Sequence, residues 1–163
     1  MAGTPVPIPQ LGEANLPHGV YVARCRFGYG NSASDGLDVY TDTQGTFALF
    51  NINSSGVLVH KVDAAILTAF NAGVTLTVGD GADADGFLRS TEIAATVVSS
   101  GLVRSPGTDA PISWFTSRLY ISTDSIDVVV GGADPTAGIM EVYVMYSYAP
   151  QEAYPDTGGS VNT

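Results

Sequence analysis

Apolar and polar side chains alternate along most of this chain with the period of two that a half-buried strand requires. In "VYVARCRF" (20–27), Tyr21, Ala23, Cys25 and Phe27 share one face, and Val20, Val22, Arg24 and Arg26 share the other. "VTLTV" (74–78) places Val74, Leu76 and Val78 inward with Thr75 and Thr77 outward. "SIDVVVGG" sets Ile126, Val128 and Val130 on one side. "IMEVYVMYSYA" (139–149) is the longest such run, with Met140, Val142, Val144, Tyr146 and Tyr148 facing a core. "LDVYT" and "TFALFNIN" are joined by "DTQG", which predicts a hairpin. "VLVHKV" is a further strand, with His60 on the face of Leu58 and Val62. Past Asp63, "AAILTAF" fits a strand or a short helix, because period alone does not separate them in so short a run. "LRSTEIA" fits one helical turn, and "SRLYIST" another strand.

Gly- and Pro-containing turns, "GYGNSASDG" and "GGADPTAG" among them, punctuate these runs. No sustained helical period or internal repeat interrupts them. About eight to ten short strands predict an all-β domain, an antiparallel β-sandwich or jelly roll. The domain spans 18–149, between an extended Pro-rich arm (1–17) and a loose tail (150–163) that loses periodicity. In the arm, Pro5, Pro7, Pro9 and Pro17 forbid a helix and push the backbone toward extended or polyproline II geometry. Either this end is unstructured, or Val6, Ile8 and Leu11 between the prolines lay it on a neighbouring surface.

Composition narrows the function classes. With 163 residues, 45% hydrophobic and 13% charged, one domain can bury a real core. Six basic against 16 acidic residues give a net charge of −10. The basic residues are scattered, so no stripe neutralises phosphates and nucleic acid is not an expected partner. No apolar run approaches the roughly 20 residues of a membrane helix, and the first residues lack a signal-peptide pattern. The expectation is a protein made without a secretion signal, with no membrane partner. A lone cysteine, Cys25, excludes an internal disulfide framework and a thiolate cluster, and its place on an apolar face reads as an inert core thiol.

Candidate chemistry is sparse. Two histidines, His18 and His60, leave few general bases, and zinc needs more His or Cys ligands than are present. "TVGDGADADGFLRST" (77–91) concentrates Asp80, Asp83 and Asp85 among glycines. It lacks the lysine and spacing of a phosphate cradle. Aligned to a calcium loop, it supplies Asp83, Asp85, Gly86 and Glu92 at positions 3, 5, 6 and 12, but Gly81 stands at position 1 and no helices flank it, which rejects an EF-hand. A non-EF calcium site of Asp80, Asp83 and Asp85 and a solvated strand-exit turn both remain open. A carboxylate pair of Asp83 or Asp85 with Glu92, as in a glycosidase, lacks the desolvation that raises a pKa. No catalytic residue, metal ligand or cofactor is assigned.

"TLTVGDGADADGFL" (75–88) and "SIDVVVGGADPTAGIMEVYVMYSY" (125–148) resemble small β-sandwich virion proteins of tailed bacteriophages, several of them capsid decoration (cement) proteins. The resemblance implies a trimer on the outside of the head that clamps neighbouring major capsid proteins, with no enzymatic activity. It implies capsid contacts through the arm residues Pro5, Val6, Pro7, Ile8, Pro9 and Leu11. Tyr29, Tyr40, Tyr143 and Tyr154, outside the core pattern, suit an interface. Trp114 and Phe115 are interface anchors or pack beneath their own loop. A tail, fibre or head-fibre protein is the nearest alternative, followed by a carbohydrate-binding sandwich.

Overall fold

A computed structural model describes residues 10–11, 19–30, 36–53, 56–99, 101, 103–104 and 117–148, with only the backbone at 10–11 and 103–104. These residues form strands and turns with no helix. The strands are β1 (Gln10–Leu11), β2 (Val20–Gly28), β3 (Val39–Tyr40), β4 (Gly45–Ile52), β5 (Val57–Thr68), β6 (Thr75–Asp80), β7 (Val103–Arg104), β8 (Arg118–Tyr120), β9 (Asp124–Gly131) and β10 (Ile139–Tyr148). One sheet runs β1-β4-β9-β6; the other runs β3-β2-β10-β5-β7, with β8 also on β5. Their inner faces enclose one core, so the chain is an all-β sandwich. The predicted boundaries of the arm and tail fall outside the described residues.

Pairing is nested. β2 pairs with β10, β4 with β9 and β5 with β8, all antiparallel, and an isolated antiparallel bridge joins Val78 to Leu88. From β4 to β6 and again from β8 to β10, each strand lies in the sheet opposite its predecessor. The core draws on the inward positions of the alternating strands: Cys25, Phe27, Leu76, Val78, Ile126, Val128, Met140, Val142 and Val144 are buried, and Tyr21, Ala23 and Tyr148 pack partly buried against them.

One open alternative closes and two expectations change. "AAILTAF" is no helix: its first five residues complete β5, a continuous strand of 12 residues on the long edge of β10. β5 also contains a bulge, because Met145 pairs with Lys61 while Tyr146 pairs with Val59, leaving His60 extra. The bulge switches the inward parity from Val57 and Val59 to Val62, Ala64 and Ile66, so His60 does not share a face with Val62. The "DTQG" hairpin does not form, since β3 and β4 belong to different sheets. Side-chain and backbone bonds explain that crossing. Asp38 Oδ2 accepts from Arg26 N at 2.7 Å and Thr41 N donates to Gly28 O at 3.1 Å, tying β3 parallel to β2. Thr43 N then donates to Thr41 Oγ1 at 3.0 Å, and Gln44 N to Asp134 Oδ1 at 3.0 Å, turning the chain into the other layer.

Candidate interaction surface

The acidic loop leaves β6 and folds back on it. Phe87 N and Leu88 N both donate to Val78 O at 2.9 Å, and Val78 N donates to Leu88 O at 2.8 Å. Asp80 is buried, and all of its oxygens are engaged. Oδ1 accepts from Ala82 N at 3.0 Å and Asp83 N at 3.1 Å; Oδ2 accepts from Tyr120 OH at 2.6 Å and pairs with Arg118 Nη1 at 2.7 Å. Burial, and then the hydrogen bond to Asp80, push the Tyr120 phenol far up, keeping it a donor. Asp80 therefore pins β8 to the loop rather than solvating a turn. Asp85 is exposed, 3.9 Å from Arg89 Nε, and Glu92 Oε2 accepts from Arg89 N at 2.9 Å. Among the described residues, no three His, Cys, Asp or Glu side chains converge to hold a metal ion. "LRSTEIA" makes a turn, with Ile93 N donating to Arg89 O at 3.1 Å, that does not propagate into a helix.

His60 Nε2 lies 2.8 Å from Ser147 Oγ, which has the outline of a serine–histidine pair. In a nucleophilic triad the other ring nitrogen meets a carboxylate; here Nδ1 meets Ser117 Oγ at 3.4 Å. Ser147 also sits within β10, between β2 and β5, where backbone amides serve the sheet rather than an oxyanion hole. Cys25 is fully buried, and its thiol is pushed up to about 12, first by burial and then by the charge of Asp38, against a lowering by Arg24. A thiol so poorly ionised is inert, as its face in β2 implied.

On the outer face of the six-stranded sheet, Glu141 gathers the cations of β2. Its Oε1 accepts from Arg24 Nη1 at 3.1 Å, Arg26 Nε at 3.0 Å and Arg26 Nη2 at 2.6 Å, and its Oε2 accepts from Tyr143 OH at 2.5 Å. Burial raises the Glu141 pKa, but the bonds from Tyr143 and Arg26 and the charges of Arg26 and Arg24 outweigh it, and the carboxyl titrates below its ordinary value. Along the same face the register aligns Val22 with Met145 and Val20 with Ser147, Leu58 and Leu119. Val20, Val22, Met145 and Leu119 are exposed, an apolar row beside the charged cluster.

At one margin of the sandwich, an open cleft of about 360 Å³ is lined by Tyr29, Tyr40, Phe47 and the polar turn Thr41, Asp42 and Thr43. Tyr29 and Tyr40 are exposed there, in keeping with their place outside the core pattern. Tyr143 is half-buried and tied to Glu141. The backbone of Leu11 pairs with Ile52 of the same chain. Pro5, Val6, Pro7, Ile8, Pro9, Trp114, Phe115, Tyr154 and His18 lie outside the described residues. Sequence reasoning missed Phe47 as a cleft residue and the apolar row. Val20 and Val22, apolar on the outward face of a strand already apolar inward, were the available signal for that row.

No family model matches the chain, and neither does any curated protein. Solved structures do. A chain of the cyanophage Pam1 capsid asymmetric unit superposes with a TM-score of 0.54 at 19% identity, covering 86% of this chain and 94% of that one. The fold is shared with a chain of a phage capsid. A chain of the acidic stable capsid of Helicobacter pylori bacteriophage KHP30 matches at a TM-score of 0.47 and 15% identity, over 82% of this chain and 92% of that one.

Proposed function

We propose that this chain is a virion structural protein of a tailed bacteriophage, a cement protein on the outer surface of the head. In this reading it is made in the host cytoplasm, assembles as a homotrimer and clamps neighbouring major capsid proteins without any catalytic step. One observation carries the proposal: the sandwich matches a phage-capsid chain over nearly the whole length of both. The nested strand pairing supports reading the sandwich as a jelly roll, an architecture used in viral capsids. The shell contacts are assigned to Pro5, Val6, Pro7, Ile8, Pro9 and Leu11, and the interface to Tyr29, Trp114, Phe115, Tyr143 and Tyr154. Two exposed apolar groups beside the Glu141 cluster, Val22 and Met145, add to the surface available for such contacts.

Electron cryomicroscopy of the native particle tests this directly. The expected result is density fitting residues 19–148 in clusters of three on the outside of the head. Density confined to the tail would replace the reading with a tail or fibre protein, and a particle without the chain would overturn it.

A further inference from the structure

Most of the described tyrosines are absorbed by the fold. The rings of Tyr21, Tyr146 and Tyr148 pack against one another with centroids 5.5 to 5.9 Å apart. Tyr120 and Tyr143 donate their hydroxyls to Asp80 and Glu141. Tyr29 and Tyr40 differ. Both are exposed, and among the described residues their rings meet no other ring and their hydroxyls meet no polar partner. Both line the same cleft. The pairing of β2 with β3 brings them there: Gly28 stands opposite Tyr40, so Tyr29 leaves its strand beside it. Tyr29 N donates to Gly138 O at 2.9 Å and Thr41 N to Gly28 O at 3.1 Å, which fixes both backbones at this corner.

Among the described residues of the lining, Asp42 alone carries a charge, and none is a lysine, arginine, histidine or amide. Asp42 is exposed, and its carboxylate has no partner among the described residues. The turn that presents it closes without its help: Thr41 Oγ1 accepts from Thr43 N at 3.0 Å and donates to Thr43 O at 2.8 Å. Asp134, whose Oδ1 accepts from Gln44 N at 3.0 Å, brings a second negative charge to the same turn. Such a lining repels phosphates and carboxylates and offers a sugar few donors. Aromatic faces are negative, so Tyr29, Tyr40 and Phe47 beside an unpaired carboxylate attract positive charge instead. A cleft of about 360 Å³ admits a flat guanidinium, which stacks on an aromatic ring while giving paired N–H bonds to a carboxylate.

We infer that the Tyr29–Tyr40–Asp42 cleft receives an arginine side chain of a partner protein, its guanidinium stacked on a tyrosine and paired with Asp42. Tyrosine and arginine are among the residues that carry most binding energy at interfaces. The backbone bonds on both sides hold the cleft before any partner arrives, which lowers the entropic cost of docking. The inference goes beyond the cement reading and does not need it. Failure of the cleft to take arginine leaves that reading standing, and a location away from the head leaves the cleft standing.

NMR titration of the full chain with the peptide acetyl-Gly-Arg-Gly-amide tests it. Saturable shifts of the Tyr29 and Tyr40 ring signals are expected in the millimolar range, as suits a single side chain. The matching citrulline peptide, which keeps the shape and loses the charge, should bind at least about tenfold more weakly. Asp42→Asn should weaken the arginine peptide by a similar factor. Because Asp42 makes no bond among the described residues, that variant should keep its melting temperature, which separates lost binding from lost structure. Equal binding of the two peptides, indifference to Asp42→Asn, or no saturable shift through the millimolar range would overturn the inference. Shifts of the same rings by maltose and not by the arginine peptide would overturn it in favour of a saccharide site.

Discussion

Asp80 shows how one side chain organises a region. Its carboxylate holds two loop amides, the Tyr120 hydroxyl and the Arg118 guanidinium, linking the exit of β6 to β8. Asp80→Ala would strand a buried hydroxyl and two amides and leave Arg118 without its anion. We expect a loss of about 3 kcal/mol, read as a lower urea midpoint at unchanged m-value. The sequence drew attention to this aspartate for its acidic neighbours, but two of its four partners, Tyr120 and Arg118, lie far along the chain, Tyr120 by 40 residues, and local composition carries no trace of them. Glu141 gives a pH prediction. Its pKa is depressed in the folded protein, so the stabilisation it contributes is complete above its ordinary value near 4.5 and is lost as pH falls through the lower folded value. Denaturation midpoints measured between neutral and acid pH should therefore fall below about pH 4.5, and Glu141→Gln should flatten that part of the curve.

At the level of elements, the strands built on clean alternation were legible and those with bulges were not. β6, β9 and β10 carry their buried hydrophobic side chains where the period of two places them. β5 does not, because the extra residue at His60 resets its parity, and a bulge is a property of the pairing with β10 rather than of β5 alone. The acidic loop illustrates the opposite case, in which one of the glycines among its aspartates, Gly79, has a definite steric reason. A Cβ on Gly79 would lie 1.9 Å from the carbonyl oxygen of Asp83. Gly79→Ala is expected to push the loop off β6 and lower stability by about 2 kcal/mol, with the melting temperature as readout. Gly81→Ala, whose Cβ would meet the Asp124 carboxylate with its nearest oxygen, Oδ1, at 3.1 Å, should cost less and serves as the control.

The whole molecule is closed by its most distant pairing, β2 with β10, whose side-chain counterpart is the Arg24–Glu141 bond across 117 residues. A chain that must bring its ends together to complete a sheet folds slowly. Stopped-flow refolding is expected on the order of milliseconds to seconds, and microsecond folding would contradict the nested topology. The sequence by itself determined the all-β class, the inward residues of the regular strands and the inert character of Cys25. Alternation and burial preference act within a few residues, so they can be read locally. Only the tertiary structure decided that β3 and β4 separate into two sheets, that Asp80 is buried and that Tyr29, Tyr40 and Phe47 meet in one cleft. These depend on which distant strands pair and in what register, and the alternation of a single strand is compatible with many partners.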